Sequence, residues 1–299
     1  MISHQRGLNY RSGQSKMRDN NDLTSNSLSR RKFLVATTGV LATVEAAAAA
    51  GHFADKNKMI KPDQSNKSID FLANYSTTAL ESAIYLITGT HDNMILTRPG
   101  FARRTLGDKR LVGFAVTSTF STDPDDARGR RENLDYWNFV FKQPGPKIAL
   151  ALDASREPGT GSSWGQLNAH FHRALGCRGV LTNGGVRDMD IIRNIEDFAV
   201  FSGHLTVAHG NPHWINFGEP VTLYGATFHS GDAVCIDEHG AIVVPVESLP
   251  HIEEAVAEAS RRSKVIVDYC QSPHFNPTGL LEATQKVRPA TPWKPSKKN

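Results

Sequence analysis

The sequence predicts an α/β fold organised around a parallel strand–helix–strand unit in the middle of the chain. The run Lys147–Asp153 (KIALALD) is short and apolar, which is typical of a buried strand. Leu167, Phe171 and Leu175 then recur at helical spacing, and a second β-prone run, Val180–Thr182, follows. A strand, a helix and a strand in this order form a parallel βαβ unit.

Local signals predict where the helix of this unit begins and ends. Gly159 and Gly161 loosen the backbone after the first strand, and Ser163 stands three residues before Gln166, which is the spacing of a capping box. Gly176 is a typical stop signal. We therefore expect the helix to lie between Ser163 and Gly176.

Two polar segments follow the two strands of this unit. The Gly/Ser loop follows the first strand, and a Gly184-Gly185 turn followed by Arg187-Asp188 leads from the second strand into another helix. Both segments are expected at the carboxyl edge of the sheet, where ligands of open α/β sheets bind. A helix N-terminus there suits an anion, Arg187 suits a carboxylate, and Asp188 suits a divalent cation. The pattern predicts a metal-assisted site for a small carboxylate.

Each of these residues also has a purely structural interpretation. The glycine pair can be only a turn, Arg187 a surface ion pair, and Asp188 the N-cap of the next helix. The convergence of all three on one edge is what favours a site.

The segments before this unit alternate between helix and strand. We predict two helical segments over Ser68–Leu86, the second starting at Ser76, then a core strand, a charged loop and a short helix: Arg110–Phe120, Ser121–Asn133 and Asn133–Val140.

The segments after it are mostly β-prone. Helical spacing of Ile191, Ile192, Ile195 and Phe198 predicts a second helix, and a clear amphipathic helix is predicted over Glu247–Val265. Between them we predict four short strands: Ala199–Ser202, Val221–Leu223, Ala233–Asp237 and Ala241–Pro245. The composition becomes rich in Pro and Lys from Gln271, which indicates a C-terminal tail over residues 271–299.

The first 54 residues read as a twin-arginine signal region. Ser29–Leu34 (SRRKFL) precedes a modestly apolar segment, Val35–Ala50, whose alanine run offers a cleavage site. The segment is short and contains Glu45, which favours a removed signal over a stable membrane anchor. Residues 55–67 form a polar linker to a domain over 68–270. The expected location is the periplasm or outside the cell.

Composition excludes several classes of function. The 1–54 region holds seven Lys/Arg and three Asp/Glu and so carries the whole formal net charge of +4, which leaves a neutral body without a nucleic-acid surface. The three cysteines lack a C-x-x-C pair, and His204, His209 and His213 fit no standard metal motif. No P-loop, G-x-G-x-x-G or G-x-S-x-G occurs, so NTPase, dinucleotide and serine-hydrolase functions lack support.

Three blocks of residues carry a resemblance to a known family. They are Trp164–Leu167 (WGQL), Gly176–Asp188 (GCRGVLTNGGVRD) and Phe228–Val246 (FHSGDAVCIDEHGAIVVPV). The second resembles the pattern G-x-x-G-V-V-x-D-G-x-x-R-D and the third P-G-D-x-x-x-x-D-x-x-G-V-V-x-x-P. These patterns are those of the family that joins 4-hydroxy-4-methyl-2-oxoglutarate aldolases with the regulator of ribonuclease E activity. The resemblance covers roughly residues 68–270.

The resemblance implies a fold, an assembly and a site. The fold would be a swivelling ββα-type domain that forms a homotrimeric or homohexameric ring. A turn matching Gly165, Gln166, Leu167 and Asn168 would hold a small 2-oxo acid together with Arg187. Asp188 would position a divalent metal, Mg²⁺ or Mn²⁺, so that Arg187 and Asp188 are the expected catalytic residues.

The implied activity is that of a class II aldolase. Cleavage of a 4-hydroxy-2-oxo acid such as 4-hydroxy-4-methyl-2-oxoglutarate leaves an enolate of pyruvate, whose charge a metal and Arg187 would stabilise. Decarboxylation of oxaloacetate passes through the same enolate and is the expected side activity.

The sequence departs from the family pattern at three positions. Asn183 replaces the usual Asp before Gly-Gly, Gln166 stands where many members carry a carboxylate or Asn, and Ser82 stands where an Asp is frequent. The alternative function is a non-catalytic regulatory or ligand-binding ring. Asp188 favours the enzyme, because the ribonuclease-regulating branch lacks an Asp at that position.

Overall fold

The computed structural model describes residues 68–288 and 293–295 of the 299. The twin-arginine region and the linker over residues 55–67 lie outside the described residues, so their assignment stays a prediction. Six α-helices are found in the described part: α1 (Thr77–Thr88), α2 (Asn133–Lys142), α3 (Gln166–Ala174), α4 (Met189–Ile192), α5 (Ile252–Cys270) and α6 (Pro277–Val287). Two 3₁₀ segments, Asp70–Asn74 and Val246–His251, precede α1 and α5.

Strands occupy most of the remaining chain. In order they are β1 (Ala102–Arg103), β2 (Leu111–Ser121), β3 (Lys147–Asp153), β4 (Ser162–Trp164), β5 (Cys177–Val186), β6 (Ala199–Leu205), β7 (His213–Phe217), β8 (Val221–Leu223), β9 (Ala226–Phe228), β10 (Ala233–Asp237) and β11 (Gly240–Val243). The fold is therefore mixed α/β.

One mixed sheet of nine strands organises the fold. Its main order is β1-β6-β5-β3-β2-β10-β11, with β4 paired to β5 and β7 paired to β2. The central neighbours β2, β3, β5 and β6 run parallel, whereas β1, β7, β10 and β11 pair antiparallel. Since β3 and β5 are parallel neighbours joined through α3, the predicted βαβ unit is confirmed.

Alternating residues of the central strands feed two cores. In β3, Ile148 and Leu150 pack with the β8–β9 hairpin on one face, while Ala149 and Ala151 pack beneath α2 and α3 on the other. This two-residue period is that of a strand buried on both faces. A third core forms where α1 and α5 cover β10 and β11.

The predicted Gly184-Gly185 turn is wrong, because both glycines lie inside β5. The pairing of β5 with β6 advances from Thr182 opposite Ser202 to Gly185 opposite His204, so β5 contains one extra residue, a β-bulge. A Cβ on Gly185 would lie 2.5 Å from Cγ2 of Thr206 and 2.8 Å from two loop carbonyls. Close approach of neighbouring chain, rather than a reversal, requires the glycine.

The predicted apolar stripe of α3 is also wrong. Leu167 and Phe171 are exposed, at 66% and 42%, and the buried face carries Ala169 and His172. Both ring nitrogens of the buried His172 form hydrogen bonds inside the core. Because this residue is polar, the spacing of hydrophobic residues predicted the opposite face of the helix as the buried one.

The C-terminal part contains more helix than the sequence predicted. The second helix after Arg187-Asp188 is a single turn, α4, while α5 extends to Cys270. Within the segment assigned to a Pro/Lys-rich tail, Asn276 caps α6 through a bond from the Gly279 N–H to its side chain (2.9 Å), and α6 packs on α5. Among the described helices, none combines the length and the apolar character that a bilayer crossing requires.

Candidate functional site

The end of β5 and the start of α3 meet at the carboxyl edge of the sheet. They border a cleft of about 570 Å³, which lies within the size range of small-molecule sites. All six residues predicted for the site line this cleft: Gly165, Gln166, Leu167, Asn168, Arg187 and Asp188. The structure thus brings together the turn and the Arg-Asp pair.

The Asp188 carboxylate is held in place from two sides. Its Oδ2 accepts the backbone N–H of Gln166 (2.9 Å), and its Oδ1 accepts Nε–H of Arg187 (3.2 Å). These contacts, led by the hydrogen bond from Gln166, keep the pKa of Asp188 below its usual value. Asp188 is therefore a charged carboxylate at neutral pH, with its side chain 31% exposed to the cleft.

The backbone of Asp188 is in the left-handed region, with φ 57° and ψ 38°. Non-glycine residues adopt this conformation uncommonly, with Asp among those enriched there. Asp188 occupies the N-cap position of α4, but its side chain makes no cap bond to that helix. Its side chain instead accepts the N–H of Gln166 in the first turn of α3, so Asp188 caps the neighbouring helix rather than its own.

Arg187 is positioned by the short strand β4. Its backbone N–H donates to the carbonyl of Trp164 (3.0 Å), which continues the parallel pairing of β4 with β5. Its side chain is 33% exposed, and only Nε is bonded to a group of the described chain. The terminal nitrogens keep their donors for a ligand, and a guanidinium fork matches a carboxylate.

Gly165 makes this arrangement sterically possible. A Cβ at this position would lie 2.6 Å from Oδ2 of Asp188 and 3.2 Å from Cγ of Arg187. Its φ of −122° is open to any residue, so the requirement for glycine is one of space alone.

The predicted capping box does not form. Ser163 lies in β4, and the N-cap position of α3 is Gly165, which has no side chain to bond to the helix. Asn168 instead donates from Nδ2 to the carbonyl of Ser163 (2.9 Å). One N–H of the helix start, that of Gln166, is already used by Asp188, so the anion-binding capacity predicted for this N-terminus is smaller than expected.

Two histidines that the sequence analysis did not place in the site also line the cleft. His209 contributes to the lowered pKa of Asp188 through its charge, and His213 is buried with Nδ1 bonded to the carbonyl of Asn211 (2.8 Å). Because a carbonyl only accepts, Nδ1 carries the proton, and the buried Nε2 has no partner in the described structure. His209 lies in the loop before β7 and His213 is the first residue of β7, a strand that the sequence did not predict.

Asn183 has a structural role beside the cleft. Its Oδ1 accepts the N–H of Asp153 (2.7 Å) and its Nδ2 donates to the carbonyl of the same residue (3.0 Å). An amide can make both bonds, whereas an ionised carboxylate can make only the first. The departure from the family's usual Asp is thus matched to the β3–β5 contact.

The donor set fits a water-rich divalent cation rather than a closed metal cage. Asp188 is the one carboxylate residue that lines the cleft within the described chain. Mg²⁺ is commonly held by one or two carboxylates and several waters, so Asp188 can hold it with substrate oxygens. Elsewhere, Asp237, Glu238 and His239 lie close together, but Asp237 already accepts from Thr77 (2.8 and 2.7 Å) and from the His239 N–H (2.9 Å).

An exposed apolar surface borders the cleft. On α2, Leu134, Trp137 and Phe141 follow i, i+3, i+7 spacing, and Leu134 and Phe141 are 64% and 67% exposed. Trp137 contacts Phe171 of α3 with ring centroids 5.5 Å apart, which joins this stripe to Leu167 and Phe171. We call these five residues the α2–α3 apolar surface.

Two curated proteins are similar in sequence to part of this chain. An uncharacterised protein of Methanocaldococcus jannaschii is 32% identical over 106 residues, which are 34% of this chain and 50% of that protein. Protein DlpA of Legionella pneumophila is 26% identical over 123 residues, 36% of this chain and 20% of DlpA. The chain therefore spans half or less of these curated relatives.

Solved structures show the same fold. An uncharacterised protein from Pseudomonas syringae pv. tomato superposes with a TM-score of 0.54 at 22% identity, over 73% of this chain and 92% of that one. Residues 91–243, just over half of the chain, match the family model described as RraA-like, Aldolase/RraA. Because this match covers more than half of the chain, the chain belongs to the RraA-like (Aldolase/RraA) family.

Proposed function

We propose that the protein is a divalent-metal-dependent lyase that cleaves 4-hydroxy-2-oxo acids, such as 4-hydroxy-4-methyl-2-oxoglutarate, to release pyruvate. Oxaloacetate decarboxylation is the companion activity, since both reactions develop the pyruvate enolate. The observation that carries the proposal is the pairing of a charged Asp188 with the free end of Arg187 in one cleft. The family includes both aldolases and inhibitors of ribonuclease E, so membership alone does not decide between them.

Arg187 and Asp188 have different roles in the proposed reaction. Arg187 binds the carboxylate of the 2-oxo acid through its terminal nitrogens and fixes the orientation of the adjacent keto group. Asp188, anchored by Gln166 and Arg187, supplies the carboxylate that would hold Mg²⁺ or Mn²⁺. The bound metal would supply Lewis-acid stabilisation of the charge that develops on the keto oxygen.

Pyruvate release by the purified protein with Mg²⁺ or Mn²⁺ tests the proposal. Asp188→Asn keeps an acceptor for the Gln166 N–H but removes the charge, so we expect turnover to fall about 100-fold or more with the fold intact. Asp190→Asn, an exposed neighbour, is the matched control and should retain activity. Equal rates of pyruvate release by Asp188→Asn and the parent protein would refute the lyase proposal.

A ligand-binding protein without chemistry is the second candidate. The observation that favours it is the single carboxylate residue at the cleft, with Gln166 where many members have a carboxylate or Asn. Calorimetric binding of oxalate that depends on Arg187, in protein that turns over neither a hydroxy-oxo acid nor oxaloacetate, would identify this function.

Assembly and location complete the proposal. We propose a homotrimeric or homohexameric ring, supported by the large exposed side chains of the α2–α3 apolar surface. Export to the periplasm or beyond is proposed from the twin-arginine pattern at residues 29–34. We propose neither a nucleic-acid partner nor a stable membrane anchor.

A further inference from the structure

A second cleft lies at the opposite edge of the sheet. It has a volume of about 610 Å³ and is bordered by the first residues of the parallel strands β2, β5 and β6. Arg178 lines it near the start of β5, nine residues before Arg187, a span of roughly 30 Å for an extended strand. The second cleft is thus separate from the proposed lyase site.

The lining of this cleft is strongly basic. Six cationic side chains line it, against the three carboxylate residues Asp108, Glu196 and Asp197. The six are Arg103, Lys109, Arg110, Arg173, Arg178 and Arg193. This concentration stands out because the chain outside the 1–54 region is neutral by formal charge.

Carboxylates pair with four of the six cations and leave the other two without a salt bridge in the described chain. Lys109 and Arg173 share Asp197 at the long distances of 3.8 and 3.9 Å, Arg110 lies 3.8 Å from Asp237, and Arg178 pairs with Asp70 at 2.6 Å. Within the described chain, Arg103 and Arg193 have no carboxylate within salt-bridge distance. Arg193 is exposed and donates from Nε to the carbonyl of Arg104 (3.2 Å), which leaves its terminal nitrogens for a ligand.

Arg103 is the more buried of the two arginines without a salt bridge. It donates from Nη1 to the carbonyl of Lys109 (2.5 Å), and its guanidinium lies 5.6 Å from the ring centre of Phe201. Its Nε is buried and has no hydrogen-bond partner in the described chain. Burial lowers the pKa of Arg103 although Asp108 and Glu238 act in the opposite direction, and an anion at the buried Nε would favour the charged form further.

We propose that this cleft binds a small organic molecule bearing phosphate groups, with Arg103 and Arg193 as its principal anion ligands. Guanidinium groups bind phosphate oxygens in bidentate geometry, and Arg103 and Arg193, which have no salt-bridge partner in the described chain, suit the charged oxygens of a phosphorylated molecule. The volume exceeds what inorganic phosphate fills, and the partly apolar wall, with Leu106 72% exposed, can contact an organic moiety. This inference is independent of the lyase proposal.

Titration calorimetry with pyrophosphate tests the site. The full chain is titrated at low ionic strength with a chelator present, so that neither screening nor metal–pyrophosphate complexes intervene. We expect one pyrophosphate per chain, and an affinity about tenfold weaker in Arg193→Gln, which alters an exposed side chain and preserves the fold. Arg103→Gln should weaken binding at least as much. Arg261→Gln, at an exposed arginine of α5, is the matched control and should bind as the parent does.

Three results would overturn the proposal. The first is no measurable heat of pyrophosphate binding by the parent protein. The second is binding that Arg187→Gln abolishes and Arg193→Gln leaves intact, which would place pyrophosphate in the first cleft. The third is equal affinity for citrate, which would show a basic surface without preference for phosphate. Circular dichroism of each variant confirms that a loss of binding is not a loss of fold.

Discussion

At the scale of single residues, Gly165 shows how strongly the site depends on space. A methyl group there would meet Oδ2 of Asp188 at 2.6 Å, so the carboxylate must leave its bond to the Gln166 N–H. We expect Gly165→Ala to lower pyruvate release about tenfold or more and to lower the free energy of unfolding by about 1 kcal/mol, the cost of a lost helix cap. Gly145→Ala, where no atom lies within 4 Å of the added Cβ, is the control. Unchanged turnover in Gly165→Ala would show that the position of Asp188 is not critical.

Asn183 supports a second residue-scale prediction. In Asn183→Asp the donor to the Asp153 carbonyl is lost and an ionised oxygen faces that carbonyl. We expect the free energy of unfolding in urea to fall by about 1–3 kcal/mol at neutral pH. Asn194→Asp removes a similar bond, from Nδ2 to the carbonyl of Asp190 (2.8 Å), at an exposed site and should cost less than about 0.5 kcal/mol. Equal losses in the two variants would refute the specific fit of Asn183.

The sequence predicted Arg187 and Asp188 because both follow a strand whose partner is near in the chain. Parallel neighbouring strands have their carboxyl ends at one edge of the sheet, so the order of strand, helix and strand was enough to predict both residues at that edge. His213 was beyond this reasoning, because it reaches the cleft on β7, whose pairing with β2 joins segments about a hundred residues apart. The two hydrogen bonds between Asn183 and Asp153 likewise depend on the register between β3 and β5.

At the scale of elements, α3 is fixed to α2 by a buried polar contact. His172 donates from Nδ1 to the carbonyl of Asn168 (2.8 Å), so its Nε2 accepts the hydroxyl of Tyr136 (2.7 Å). Hydrophobic periodicity missed this face because its central residue is a histidine. The Nε2 atom of His172 gains its hydrogen-bond partner only when the two helices pack together. A pattern of hydrophobic residues in the sequence cannot predict that contact.

Burial of His172 makes stability depend on pH. Its pKa falls to about 4 because burial penalises the charged form, against 6.5 for the unfolded chain. The unfolded state therefore binds the proton first as pH falls, and stability present above about pH 6.5 is lost progressively toward pH 4. Between about pH 7.5 and 5 we expect a loss of about 2 kcal/mol from this group, measured by urea unfolding.

His172→Asn should flatten this part of the pH dependence while lowering stability at neutral pH, because the contact with Tyr136 weakens. His170→Asn, two residues earlier on the exposed face of α3, should leave the pH dependence unchanged. A steep decline that persists in His172→Asn would assign the pH dependence to other groups.

The strands and helices missed from the sequence share a physical cause. The β4 strand is three residues long and reads as the start of a helix, and it is a strand only because β5 is long enough to pair with it. In α6, Tyr269 of α5 fills the space beside Gly279, where a Cβ would lie 1.8 Å from its hydroxyl. Tertiary contacts decide β4 and support α6, whose start also carries the local signal of the Asn276 cap, whereas β2, β3 and α1 carry their own strong local signals.

At the scale of the whole molecule, β5 connects two clefts of different chemistry. Its carboxyl end carries Arg187 and Asp188, and its amino end carries Arg178 in the basic cleft. Parallel strands place all their amino ends at one edge and all their carboxyl ends at the other, so a single sheet offers two separate ligand surfaces. Only the carboxyl edge was predicted, since the six cations of the other cleft come from five separate segments of the chain.

The α2–α3 apolar surface leads to the prediction for assembly. Contiguous exposed side chains of this size are typical of surfaces that another protein covers. If the ring forms through this surface, Phe141→Glu should shift the mass measured by light scattering from a trimer or hexamer toward the single chain. Phe141 is chosen because it is 67% exposed and does not line the proposed lyase cleft.

Val246→Glu, at a residue 64% exposed in the 3₁₀ segment before α5, is the matched control and should leave the mass unchanged. Because the surface borders the proposed lyase cleft through Trp137, Leu167 and Phe171, loss of assembly should also raise the KM for the proposed 2-oxo acid substrate. Chains of unchanged mass in Phe141→Glu would exclude this surface as the interface. A single-chain mass for the parent protein would exclude the ring itself.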